Sequence, residues 1–224
     1  MCFTLEIKIR KVIYIDGKAI EVTSCTRDLG VMIDSSLKFS SHVELVASNA
    51  RKLAGLVFRT IRSRHSNVLL PVYKTLVRPS MEYATTIWNP HCIRQVQLLE
   101  TVQRRYTKRI AGLNGKCYFE RLSCLKLPSL SARRSYFDLI CLYKILNGYS
   151  ISQCSLTRKQ NTKVTRGHLF ALQKPKASLD CRKYFFNSRT VNQWNALPNE
   201  VVCATTVNKF KARLRMLLFD CNRN

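Results

Sequence analysis

Near residue 40 the spacing of apolar positions changes. Before it they fall in short β-branched and aromatic runs. Val12-Ile13-Tyr14-Ile15 and Ala19-Ile20-Glu21-Val22-Thr23 flank Asp16-Gly17. Asp-Gly between two such runs is a hairpin signal, because both residues tolerate the positive φ of a two-residue turn. A third strand is expected over residues 29–33. Three strands cannot bury a core by themselves, so this segment must pack on something else.

From residue 41 the period becomes helical. Val43, Val46, Ala50, Leu53, Ala54, Val57 and Ile61 share one face, with Lys52, Arg59 and Arg62 opposite. Ser41-His42-Val43-Glu44 has the Ser-x-x-Glu form of a capping box. A second helix is expected over residues 67–77, with Pro71 tolerable only near its first turn. A third starts at Pro79 and carries Met81, Tyr83, Ala84 and Trp88. In the fourth, Val96, Leu99, Val102, Tyr106 and Ile110 form a narrow apolar arc. Arg94, Gln97, Thr101, Arg104, Arg105 and Lys108 occupy its far side, and Asn114-Gly115 ends the segment. A short helix over 118–124 and a long one over 130–147 follow, the latter stopped by Gly148.

The pattern divides the chain into a β segment (1–40), a helical domain (41–149), a polar basic linker (150–181) and a small C-terminal helical unit (182–224). That unit carries Tyr184, Phe185, Phe186 and Trp194, then a closing helix with Val207, Phe210, Leu214, Leu217 and Leu218. The fold class is mainly α, a helical bundle with a short N-terminal antiparallel hairpin or three-strand element.

Charge now changes the picture. The 224 residues hold 38 Lys and Arg against 13 Asp and Glu, a formal net charge of +25. Residues 1–40 carry six bases and five acids, so nearly the whole excess falls on the helical and tail segments. A hydrophobic content of 46% argues for a packed chain rather than a disordered basic tail. Such an excess weakens a fold by self-repulsion unless a polyanion is near, and nucleic acid is the first expectation. No two carboxylates are adjacent, which leaves little material for a two-metal site.

Ten cysteines include no Cys-x-x-Cys pair, and no His stands a few residues from another. Buried free thiols in a reducing compartment are expected, with Cys117 and Cys124 serving packing. Glu6 comes too early for a signal core, and no apolar run approaches the roughly 18 residues of a membrane span. The chain reads as intracellular, cytoplasmic or nuclear, with no membrane partner.

Arg94, Arg104, Arg105 and Lys108 form one cationic stripe able to follow phosphates, offset nearby only by Glu100. Arg133, Arg134, Arg182 and Lys183 are further nucleic-acid-binding candidates. Arg158, Lys159, Lys163, Arg166, Lys174 and Lys176 extend the last pair into a basic zone that either wraps RNA or keeps a loop soluble. Tyr184, Phe185 and Phe186 offer base stacking, set against a core role for Phe185, Trp88 and Trp194. His42 and His65 read as surface or cap residues.

The ordered segments resemble the C-terminal part of a non-LTR (LINE or jockey-like) retrotransposon reverse transcriptase. Asp28-Leu29-Gly30-Val31-Met32-Ile33-Asp34 resembles a segment leaving the palm. The most specific string runs from Tyr73-Lys74-Thr75-Leu76-Val77-Arg78-Pro79 to Trp88-Asn89-Pro90. Leu99-Glu100-Thr101-Val102-Gln103-Arg104-Arg105-Tyr106, Asp138-Leu139, Phe185-Phe186-Asn187-Ser188-Arg189 and Trp194-Asn195-Ala196-Leu197-Pro198 continue it. The resemblance implies an end-of-palm, thumb-like and post-thumb region that holds template–primer duplex, RNA or DNA. The family's Asp-Asp turn has no counterpart, so the chain is expected to be a truncated element, inactive as a polymerase by itself. No cofactor is expected in this chain, Mg belonging only to the missing palm. A separate palm fragment is a further candidate partner, and a structural or interaction protein, or a relic of the element, is the alternative.

Overall fold

The computed structural model describes residues 14–19, 23–150, 156–159, 168 and 170–220. The strand readings at Val12-Ile13 and Ile20-Glu21-Val22 lie outside the described residues, as do Cys2, Cys154, Cys221, Lys163 and Arg166. The fold is mainly helical, with two short antiparallel strand pairs at its start.

β1 (Tyr14–Ile15) pairs with β2 (Lys18–Ala19) across Asp16-Gly17, both at positive φ as the hairpin signal requires. The expected third strand is instead half of a second hairpin. β3 (Cys25–Asp28) pairs with β4 (Val31–Asp34), and Leu29-Gly30 forms the turn at φ 43° and 87°. Gly30 takes that φ without strain, and the Tyr83 hydroxyl donates to the Leu29 carbonyl at 2.9 Å. Sequence pattern missed β3 because Cys25-Thr26-Arg27-Asp28 carries no apolar alternation. Val31 and Ile33 share the inward face, and both pack on the core.

α1 (Ser40–Thr60) buries Val43, Ala47, Ala50, Ala54, Val57 and Phe58. Its start differs from the capping box expected at Ser41. No side chain caps it; Asp34 instead fixes the loop that leads in, its carboxylate accepting from the backbone N–H of Phe39 (2.8 Å), Ser36 (2.9 Å) and Lys38 (3.3 Å), and from the Ser36 hydroxyl. Burial pushes the Asp34 pKa up, but these donors outweigh it and hold it below the ordinary carboxylate value. α2 (Ser66–Val72) holds Pro71 well inside rather than in its first turn. A wide π turn, Tyr73–Val77, follows and leads straight into α3 (Arg78–Glu82). The Arg78 N–H closes that turn on the Tyr73 carbonyl five residues back. Pro79 cannot donate to the Thr75 carbonyl four residues back, so one carbonyl of the turn lacks its usual helical partner.

α4 (Thr85–Trp88) leads to α5 (Ile93–Lys108), α6 (Tyr118–Leu125) and α7 (Leu130–Leu146). α7 stops as the sequence suggests. Gly148 sits at φ 73°, the Tyr149 N–H reaches the Lys144 carbonyl, and the Gly148 N–H reaches Ile145. The C-terminal unit is α8 (Asp180–Lys183), α9 (Phe186–Asn195), α10 (Asn199–Val202) and α11 (Val207–Arg215), the last continuing as a wide turn over Met216–Asp220.

Two hydrophobic cores result. The first gathers α1, α2, the π turn, α5 and α6 around Tyr73, Trp88, Leu99 and Tyr106. The second gathers the C-terminal unit around Trp194, Phe210 and Leu214. α7 serves both: Leu130 belongs to the first, and Leu139, Ile140, Leu142 and Tyr143 to the second. Trp88 and Trp194 are core residues as expected, but Phe185 is 57% exposed and Phe186 is buried in its place. The thiols also differ from expectation. Cys92, Cys117, Cys124, Cys181 and Cys203 are exposed rather than buried, and Cys117 caps α6 by accepting the Glu120 N–H. Among the described residues, no helix is long and apolar enough to cross a membrane.

Candidate nucleic-acid interface

α5 has three faces, one more than its hydrophobic periodicity suggests. The first is apolar: Leu99, Val102 and Tyr106 lie in the core, and burial pushes the Tyr106 phenol up to about 12. It stays a donor, to the Leu69 carbonyl at 2.8 Å.

A buried polar seam against α6 and α7 is the second. Gln103 is fully buried; it accepts from the Tyr73 hydroxyl at 2.5 Å and donates to the Tyr118 hydroxyl and the Pro128 carbonyl, each at 3.0 Å. Glu100 belongs to this seam. Its carboxylate accepts from the Tyr118 hydroxyl (2.6 Å) and the Ser131 N–H (2.8 Å), so it is turned into the seam and forms no ion pair with the stripe. Arg121 is buried here too, donating to the Thr107 hydroxyl and the Arg104 and Lys116 carbonyls.

The third face is exposed and cationic, and it borders a groove against α1. The two helices run the same way: Gln95 donates to the Ser40 hydroxyl at 2.7 Å near their starts, and Tyr106 meets Phe58 near their ends, ring centroids 4.8 Å apart. Two clefts follow this groove in succession. One of 780 Å³ is lined by Ser40, Glu44, Ser48 and Arg51 of α1 and by Arg94, Gln97 and Thr101 of α5. The other, of 430 Å³, is lined by Arg51, Gly55, Phe58, Arg105, Lys108 and Arg109, among others. Arg51 lines both.

Arg94, Arg105 and Lys108 therefore stand together, joined by two cations that sequence periodicity did not assign, Arg51 and Arg109. α5 periodicity could not show Arg51, because α1 supplies it across a parallel helix contact. Arg109 caps α5 and lies over the Phe58 ring at 4.8 Å. None of the five forms an ion pair with a described residue. Arg104 leans to the other side, over the Tyr118 ring at 4.8 Å, but remains exposed.

The remaining candidates are not on this face. Arg134 is 2% exposed, and its Nε donates to Asn89 at 3.1 Å. Burial pulls its pKa down, and Glu100, Asp138 and Glu82 oppose that. Arg133 forms a two-pronged ion pair with Glu82. Arg182 and Lys183 are exposed on the short α8, with Lys183 over Tyr184. His42 is not a surface residue: it is 3% exposed, accepts the Met32 N–H at Nδ1 (3.2 Å) and meets Trp88 edge-on.

Three of the residues that carry the resemblance, Asn89, Asp138 and Arg189, build a clamp between the two cores. Asp138 of α7 accepts two hydrogen bonds from Arg189 of α9, each 3.0 Å, and one from Asn89 at 2.9 Å. Arg189 also donates to the Thr86 carbonyl. Among the described residues, no group of three or more His, Cys, Asp or Glu is placed to hold a metal ion.

About half of the chain is similar to part of a transposon polymerase. Over 115 residues it is 26% identical to a probable RNA-directed DNA polymerase from transposon X-element of Drosophila melanogaster, covering 50% of this chain and 13% of that protein. It is also 26% identical over 124 residues to an uncharacterized protein of Caenorhabditis elegans, covering 54% of this chain and 63% of the relative. The chain thus spans less than two thirds of either relative. No family model and no solved structure matches it.

Proposed function

We propose that this chain holds a template–primer duplex in the α1–α5 groove, as the thumb-like part of a non-LTR retrotransposon reverse transcriptase. The carrying observation is the groove itself, five cations along two parallel helices, none in an ion pair with a described residue, against Glu44 as the one carboxylate in the described lining. From Arg94 to Arg109 the helix rises about 22 Å, the length of roughly six nucleotides of one strand. Arg and Lys at that spacing neutralise backbone phosphates and release counterions, giving affinity with little sequence preference. The similarity to a transposon RNA-directed DNA polymerase supports the same reading. Phosphoryl transfer needs a carboxylate-held metal clamp. The chain has no Asp-Asp pair, so the proposal assigns it grip and no chemistry.

A pair of charge-matched variants tests this. Arg105→Gln/Lys108→Gln/Arg109→Gln is expected to weaken binding of an RNA–DNA primer–template duplex by about tenfold or more. Lys52→Gln/Arg59→Gln/Arg62→Gln removes the same charge from the exposed side of the first helical segment and is expected to change little. Equal losses in both would mean that net charge binds, and that the groove does not.

A further inference from the structure

A second cationic cleft, of 670 Å³, shares no lining residue with the α1–α5 groove. Lys74 of the π turn, Arg78 of α3, Lys126 after α6, Arg133 of α7 and Arg215 of α11 all line it. Its described lining includes no carboxylate. Glu82 lies behind, gripped by Arg133 and 3.6 Å from the Arg78 Nε. One carboxylate cannot neutralise five cations. The Arg78 Nε is buried and has no hydrogen-bond partner. Burial, and then the charges of Arg133 and Arg215, pull the Arg78 pKa down against the opposing pull of Glu82. Guanidiniums that face one another destabilise the cleft, and an anion between them offsets that repulsion.

We propose that this cleft binds a compact polyphosphate, the triphosphate of a free nucleotide or of an RNA 5′ end. Cations converging from five elements suit several phosphate groups in one place better than a backbone that spreads its charges along a strand. Guanidinium forks match phosphate oxygens two at a time. Leu122, Leu218 and Phe219 supply an apolar wall that lowers the local dielectric and strengthens those contacts. Phe119, 76% exposed among the lining residues, offers a ring to an attached base.

The test is calorimetric titration of the full chain with inorganic tripolyphosphate. One saturable site is expected. Lys126→Gln/Arg215→Gln, at two exposed positions, should weaken it by about tenfold or more, with an unchanged thermal midpoint to show that the variant folds. Arg105→Gln/Lys108→Gln should leave it unaltered. A nucleoside triphosphate that binds more tightly than tripolyphosphate identifies the free nucleotide as the source. Displacement of the probe by 5′-triphosphate RNA, but not by 5′-hydroxyl RNA, identifies the RNA end. Absence of a saturable site, orthophosphate binding as tight as tripolyphosphate, or equal losses in the groove and cleft variants would overturn the proposal.

Discussion

Asp138 and Arg189 lie 51 residues apart in sequence, and their paired hydrogen bonds tie α7 to α9. The carboxylate is almost fully buried. Removing one partner of such a pair leaves a buried charge unmatched, at a cost of about 3–5 kcal/mol. Asp138→Ala is expected to lower the urea stability by that order, with no specific loss of duplex affinity in the fraction that stays folded. His42 gives a second prediction at this scale. Burial, then the Arg27 charge, lowers its pKa, and its Nδ1 must stay unprotonated to accept the Met32 N–H. The unfolded chain binds the proton more readily, so stability is full above the ordinary histidine value of about 6.5 and falls as pH drops through the lowered folded value. His42→Asn keeps an acceptor and removes the titration; urea midpoints between pH 7 and 5 should flatten in that variant. The charged residues were the least legible in the sequence. Arg94 and Arg134 are the same letter, and nothing in the letter at position 100 marks Glu100 as buried. Whether each faces water, Asn89 or Tyr118 depends on contacts far along the chain.

Helices were legible wherever one face is apolar, and α1, α5 and α7 fall close to where their periodicity puts them. The C-terminal stop of α7 was legible because only glycine takes positive φ cheaply. Gly148→Ala is accordingly expected to cost about 1–2 kcal/mol from backbone strain alone, since a Cβ there meets nothing within 4 Å. Thermal unfolding measures it. Starts were less legible. The Ser-x-x-Glu string at Ser41 lies inside α1 and caps nothing, while Asp34, at the end of β4, accepts from three backbone donors of the loop before the helix. The groove was half legible. α5 showed its cations by period, whereas Arg51 joined them only through the parallel packing of α1, which no periodicity encodes.

The whole molecule is two cores sharing one helix. Leu130 and Tyr143 sit in different cores on the same rod, and the Asp138–Arg189 clamp lies between them. One cooperative unfolding transition is expected. Trp88→Phe and Trp194→Phe variants each leave one tryptophan, in the second and first core respectively, and their fluorescence midpoints in urea should coincide after correction for each variant's own stability by circular dichroism. Separate fluorescence and dichroism midpoints within one variant would mean that the cores unfold independently.

At the same scale the basic excess is no longer a diffuse property of the composition. Part of it lines the α1–α5 groove, part lines the second cleft, and part is inside the fold, at the buried Arg134 and in the Asp138–Arg189 pair. The salt dependence of duplex binding by the intact chain tests that distribution most directly. With five groove cations on phosphates, log Kobs against log salt should have a slope of about −4 to −5, shallower by about 3 in Arg105→Gln/Lys108→Gln/Arg109→Gln. A slope near zero, or one that the triple variant leaves unchanged, would contradict the account.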